Sequence, residues 1–237
     1  IQIQVLLNLI DINYKAILIG LIFLSTIECA QPTQVKFDHL TVEDGLTSGS
    51  INDIIQDSRG FMWFGTNSGL NRYDGYEVKF YNSISVGDEK SQSLFVTSLI
   101  EDGKNNIWFG TKSGGVSKLD RKTELFSHYY HDPEDSNSLS NQYVNDIYED
   151  SQGIIWIGTE HGLNRFNPED NTFTSYYHDP EDSASINDDR ITVLHEYPTG
   201  TLWAGTRKGT LIRKIYQMMR LPILLMIILV QREREQI

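Results

Sequence analysis

The side chains of this sequence best suited to acid–base or metal chemistry are six histidines and 32 acidic residues. The histidines (His39, His128, His131, His161, His178 and His195) show no metal-ligand spacing, and His131 and His178 are equivalents in a repeated linker. No Ser/His/Asp or Cys/His arrangement stands out, and short glycine runs such as Gly65 to Gly69 lead into hairpins rather than a phosphate-binding helix. The reading is therefore no catalytic residue, no metal and no cofactor. One run invites a sharper test. Asp-Pro-Glu-Asp-Ser at 132–136, repeated at 179–183, alternates oxygens at Asp132, Glu134 and Ser136 in a way that suits Ca²⁺. It lacks the glycine and the distal bidentate glutamate of a dedicated loop, and Pro-Asp-Ser is ordinary turn chemistry. A solvated turn is the expectation.

Binding residues are better sought where a repeated scaffold varies. The pairs Asn67-Ser68, Lys112-Ser113, Glu160-His161 and Arg207-Lys208 occupy one repeated turn and differ in every copy. With Arg190 and Gln142 from the linkers, they give Asn67, Lys112, Glu160, His161, Arg190 and Arg207 as candidate ligand contacts. A sugar would also need an exposed aromatic face, for which Tyr143 is the candidate.

The elements that must position these residues follow from a repeat. Trp63, Trp108, Trp156 and Trp203 are spaced 45, 48 and 47 residues apart, and each is followed by Gly-Thr: Gly65, Gly110, Gly158 and Gly205 with the next residue. Upstream of each lies an alternating run (INDIIQ, VTSLIE, VNDIYE, ITVLHE), then a tight turn, Asp57 to Gly60 in the first copy. Downstream come LNRYD, VSKLD and LNRFN, then EVKFY, LFSHYY and FTSYY. Four short strands at a period of 45–48 residues predict an all-β fold of β-propeller blades. The tryptophan fills the layer between blades and the glycine permits close backbone approach. The expected blades are 47–82, 92–131, 140–178 and a partial 187–209, about three and a half, with residues 35–40 read as the outer strand of a preceding blade.

Composition agrees. The chain has 237 residues, 39% hydrophobic and 11% aromatic, with 18 glycines and a single cysteine, Cys29, which excludes an internal disulfide framework. Residues 31–209 carry −14 of a net −12, which excludes nucleic acid as the main partner. The ends differ in character. Lys15, an apolar run from Ala16 to Ile27 and a small residue at its exit make 1–30 a signal peptide or membrane-targeting segment. Residues 210–237 form an atypical apolar and basic tail, read as foreign to the fold, as after a frame shift. Its apolar stretch, Leu221 to Val230, is shorter than the roughly 20 residues a membrane span needs.

FDHLTVEDGLTSGSINDIIQDSRGFMWFGTNSGLNRYDG from Phe37, VNDIYEDSQGIIWIGTEHGLNRFNP from Val144 and the linker YYHDPEDSNSLSNQYV at Tyr129 resemble the two-component regulator propeller repeats. These form the periplasmic sensor region of bacterial hybrid two-component histidine kinases. The resemblance implies an extracytoplasmic sensor module that answers to a carbohydrate-derived ligand and signals to a kinase, whose modules are not visible in these residues. It also implies an oligosaccharide ligand, further blades or a dimer partner, and a periplasmic or exported location with membrane contact only through the first segment. The alternatives are a scaffold for protein–protein interaction and a lyase-type propeller enzyme. The lyase needs His or acidic groups converging on the channel mouth, which the repeats do not single out.

Overall fold

The computed structural model describes residues 36–81, 95–208 and 211–215, the last five as backbone alone. The blades lie in one compact unit, Leu40–Ile237; of the other unit, Ile1–His39, the described residues 36–39 form no regular element. The targeting segment and the tail beyond residue 215 lie outside the described residues.

The four repeats fold as four antiparallel meanders. Blade one is β1 (Ile51–Gln56), β2 (Met62–Thr66), β3 (Gly69–Tyr73) and β4 (Val78–Tyr81). Blade two is β5 (Val96–Glu101), β6 (Ile107–Thr111), β7 (Val116–Asp120) and β8 (Leu125–Tyr129). Blade three is β9 (Val144–Glu149), β10 (Ile155–Thr159), β11 (Gly162–Asn167) and β12 (Thr172–Tyr176), and blade four is β13 (Ile191–Glu196), β14 (Thr201–Thr206) and β15 (Leu211–Ile215). All four inner strands coincide with the alternating runs.

Two expectations are corrected. Residues 36–40 form no strand, and no sheet among the described residues includes them. The fourth repeat does not stop at Gly209, because β15 pairs with β14 in a register that sets Arg213 opposite Trp203. The same register sets Lys118 opposite Trp108 in blade two. Pairing needs only the free backbone groups of β14 and an extended aliphatic segment, so β15 forms without the Leu-Asn-Arg pattern.

A blade covered on both faces must bury its middle strands at every position, as β6 and β10 do. The core is accordingly a series of layers between blades. Trp63, Leu99 and Phe109 join blades one and two; Trp108, Ile147 and Phe166 join two and three; Trp156, Ile191 and Leu202 join three and four.

Four repeated devices fix each joint. First, the turn aspartate accepts backbone N–H groups of its own turn, then takes the tryptophan Nε1–H on its other oxygen. Asp57 does so for Trp63 at 2.8 Å, Asp102 for Trp108 at 2.8 Å and Asp150 for Trp156 at 2.7 Å. A buried indole N–H without a partner would cost about 1–3 kcal/mol. In blade four Tyr197 replaces the aspartate, and Trp203 donates to its carbonyl instead.

Second, a bulge in each inner strand skips one residue of the ladder: Asn52, Thr97, Asn145 and Thr192. In the first three blades the skipped side chain donates to the first carbonyl of the next inner strand. Asn52 reaches Val96 O at 2.8 Å, Thr97 reaches Val144 O at 2.7 Å and Asn145 reaches Ile191 O at 2.7 Å. Beside it, Asp53 accepts Leu99 N–H at 2.6 Å and Asp146 accepts Leu194 N–H at 2.7 Å.

Third, the last residue of the next inner strand reaches back to the preceding turn. Glu101 accepts from Ser58, Glu149 from Gly103 N–H and Glu196 from Ser151. Fourth, the glycine two residues after the tryptophan of blades one to three is a socket for a side chain of the next blade rather than a point of backbone approach. A Cβ on Gly65 would stand 2.7 Å from Val96 Cγ1, and one on Gly158 would stand 2.6 Å from Ile191 Cγ2.

Candidate functional site

With the joints fixed, the β2–β3, β6–β7 and β10–β11 turns, residues 207–208 after β14 and the linkers at 130–143 and 177–190 share one end of the sheets. The candidate contacts separate into groups there. On blade three, Arg190 Nε donates to Glu160 Oε2 at 2.5 Å, and Glu160 Oε1 accepts from Asn145 at 3.2 Å. His161 lies beside them in sequence, with Nδ1 3.5 Å from Asp189 Oδ2 and its ring centroid 5.3 Å from that of Tyr177. Tyr177 is 44% exposed, so it offers the open aromatic face that sequence reasoning assigned to Tyr143. Lys112 forms a second group, its Nζ 5.1 Å from the Phe95 ring centroid and 6.0 Å from that of Tyr143.

Asn67 is tied within blade one, its Oδ1 held by Asn52 at 2.9 Å. Arg207 is exposed and anchored through its backbone N–H to Arg190 O at 3.2 Å. Next to it Lys208 pairs with Asp188. Burial raises the Asp188 pKa, but the Lys208 amide and charge and the Arg190 amide outweigh it and hold the carboxyl below its ordinary value. The structure thus brings Glu160, His161 and Arg190 together, with Arg207 adjoining through the backbone, and leaves Asn67 and Lys112 with partners of their own.

The linker runs behave as turns. Asp132 Oδ1 accepts Glu134 N–H and Asp179 Oδ1 accepts Glu181 N–H, while His131 and His178 each bond a carbonyl eight residues on at 2.8 Å. Among the described residues, no group of three or more His, Cys, Asp or Glu is placed to hold a metal ion. The same residues contain no helix long and apolar enough to cross a membrane.

Arg121 was not singled out by sequence, because it occurs in one repeat only. From the β7–β8 turn it donates to both Asp57 and Glu101 across the first joint, with its side chain 5% exposed and that of Asp57 fully buried.

Three segments, residues 45–68, 90–113 and 138–161, match the family model of the two component regulator propeller. Blades one to three match the two-component regulator propeller repeat. Each matched segment ends a linker, then spans an inner strand, the aspartate turn and the tryptophan strand of blades one to three. Blade four, which lies outside them, has Val193 where Asp53 and Asp146 stand and Tyr197 where the turn aspartate stands.

Over 54 residues, 23% of the chain, the repeats are 43% identical to Histidine kinase P4 of Formosa agariphila. By structure they resemble an extracellular domain assigned to a hybrid two component system, BT3049, of B. thetaiotaomicron, with a TM-score of 0.66 and 25% identity over 76% of this chain. The WD40 beta propeller domain of Doa1, at 14% identity and a TM-score of 0.53, shares the fold alone. The chain spans 4% of the kinase and 25% of the extracellular domain. In its three matched segments and in fold it is similar to the two component regulator propeller and to that extracellular domain.

Proposed function

We propose that this propeller is a ligand-sensing, non-catalytic module of an extracytoplasmic two-component sensor, exported to the periplasm, and that it takes a carbohydrate-derived ligand on the linker face. The observation that carries the reading is the contrast between constant joints and a varied face. Asn/Thr, Asp, Glu, Gly and Trp recur where blades meet, whereas the face groups Glu160 and Arg190 with His161 and Tyr177. Charged hydrogen-bonding groups beside an open aromatic ring suit a sugar, which presents hydroxyls at its edge and C–H groups on its face.

Calorimetric titration of the full chain with a panel of plant and microbial oligosaccharides tests it. Saturable binding of one oligosaccharide class is expected, weakened about tenfold or more by Arg190→Ala. That variant breaks a surface pair worth no more than about 1 kcal/mol of stability, so lost binding would not be lost folding. Absence of binding across the panel, or an unchanged affinity in the variant, overturns the reading.

A further inference from the structure

The blades are near copies, so the gap at one joint can be compared with its counterpart at the next. Opposite the linker face, between blades one and two, the gap is closed. The Arg121 guanidinium lies between Asp57 and Glu101, and its Nε donates to Asn105 O at 2.6 Å. Lys79 Nζ sits 4.5 Å from the Tyr81 ring centroid and pairs with Glu124 at 2.8 Å. Only about 60 Å³ remains open.

Between blades two and three the same walls enclose a cleft of about 630 Å³. Trp108 stands for Trp63, Lys118 for Arg72 and Phe166 for Leu119. Register alignment shows what opened it: Pro168 replaces Arg121, Ser127 replaces Lys79 and Asn171 replaces Glu124. Every group that filled the first gap is missing from the second.

The acceptors that held the guanidinium are kept. Asp102 stands for Asp57, and its Oδ2 takes Asn106 Nδ2 at 2.8 Å besides the indole N–H. Glu149 stands for Glu101. Both of its oxygens lie on a single donor, the Gly103 amide, at 3.0 and 2.8 Å, and among the described residues it forms no ion pair. Burial raises its pKa most, and the nearby charges of Asp102 and Asp150 add to that against the Gly103 bond and the charge of Lys104. The same carboxylate position is paired with a guanidinium in one joint and, among the described residues, has no ion pair in the other, where Lys104, Lys118 and Arg165 also line the cleft.

We infer that the cleft between blades two and three binds a small ligand bearing a guanidinium or primary ammonium group, seated on Glu149 as the Arg121 guanidinium is seated on Glu101. Trp108 and Phe166 would line its aliphatic stem, and Asn167 and Gln152 stand at the polar rim. A carboxylate freed of one hydrogen-bond donor and given a charge-assisted one gains most when its surroundings exclude water. This site is separate from the linker face and does not depend on the sugar reading.

The test is calorimetric titration of the full chain with agmatine, using butylurea as a neutral-headed comparator. Saturable binding of one agmatine per chain is expected, with none of butylurea at the same concentrations. Glu149→Gln should weaken agmatine about tenfold or more, because it removes the charge while keeping the side-chain shape. Pro168→Arg should fill the cleft from within, raise the unfolding temperature and abolish agmatine binding, while Pro168→Ala should keep it. Failure of agmatine to saturate, equal affinity in Glu149→Gln, or undiminished affinity in a folded Pro168→Arg protein overturns the inference.

Discussion

Replacing Arg121 by Met keeps the aliphatic stem and removes the charge from the first joint. It leaves Asp57, whose side chain is fully buried, and Glu101, whose side chain is 16% exposed, without their cation. Breaking a buried ion pair in this way costs about 3–5 kcal/mol. The lower end applies, because Asp57 keeps the Trp63, Arg59 and Phe61 donors and Glu101 keeps both donors of Ser58. A loss of about 3 kcal/mol lowers the unfolding temperature of a domain this size by roughly 6–12 °C. Burial raises the Asp57 pKa, yet the bonds from Trp63, Phe61 and Arg59 and the Arg121 charge together hold it below its ordinary value. A depressed carboxyl contributes stability that is full above its unfolded value near about pH 4 and is lost as pH falls through the folded value. The gap between the parent chain and Arg121→Met should therefore be widest at about pH 7 and narrow below about pH 4. Urea unfolding at both pH values measures it. A loss under about 1 kcal/mol, or a gap that does not change with pH, would refute the argument that charge compensation holds this joint.

Two further outcomes follow from the joints. Gly158→Ala drives a methyl against Ile191, whose Cγ2 and Cβ would stand 2.6 and 3.1 Å away; it should cost about 1–3 kcal/mol in urea unfolding, against less than about 0.5 for Gly49→Ala at an open position, and equal costs would reject the socket. Glu149 has a raised pKa, so its contribution to stability is present below its unfolded value and lost as pH rises through the folded one. Glu149→Gln should therefore gain stability relative to the parent chain between about pH 4 and 7, and a pH-independent difference in urea unfolding counts against an uncompensated carboxylate.

The blades were legible because their signals are local. A run such as INDIIQ, a turn four residues long and a tryptophan at fixed distance each announce a strand or its reversal within one unit, and the four inner strands formed where those runs lie. The joints were not legible. Asp53 and Leu99, or Asn145 and Ile191, lie 46 residues apart, and nothing in either repeat alone says that one will donate to the other. The signal lay in the repeat alignment: an aspartate six residues before the tryptophan in three copies, and Asn-Asp at the start of two inner strands. Likewise β15 had the cue of Arg213 two residues after an aliphatic, as Lys118 follows Val116. At the candidate face the variable turn pairs were found from sequence, but their grouping was not, because Arg190 meets Glu160 only once the linker has packed. The cleft between blades two and three was invisible for the opposite reason: it is made by side chains that are smaller than their equivalents.

Each of the middle repeat units carries a socket glycine on one face and, on the other, the aliphatic residue that enters the socket of the preceding unit, as Gly110 and Val96 do in blade two. A duplicated unit therefore arrives with both halves of the new joint already matched to any neighbour, and a deleted one leaves two matched halves behind. The donor and acceptor of each crossing bond are distributed in the same way. Blade number in such an array can drift by whole units without any joint being redesigned, and the variable turns and gaps between blades are free to diverge as it does.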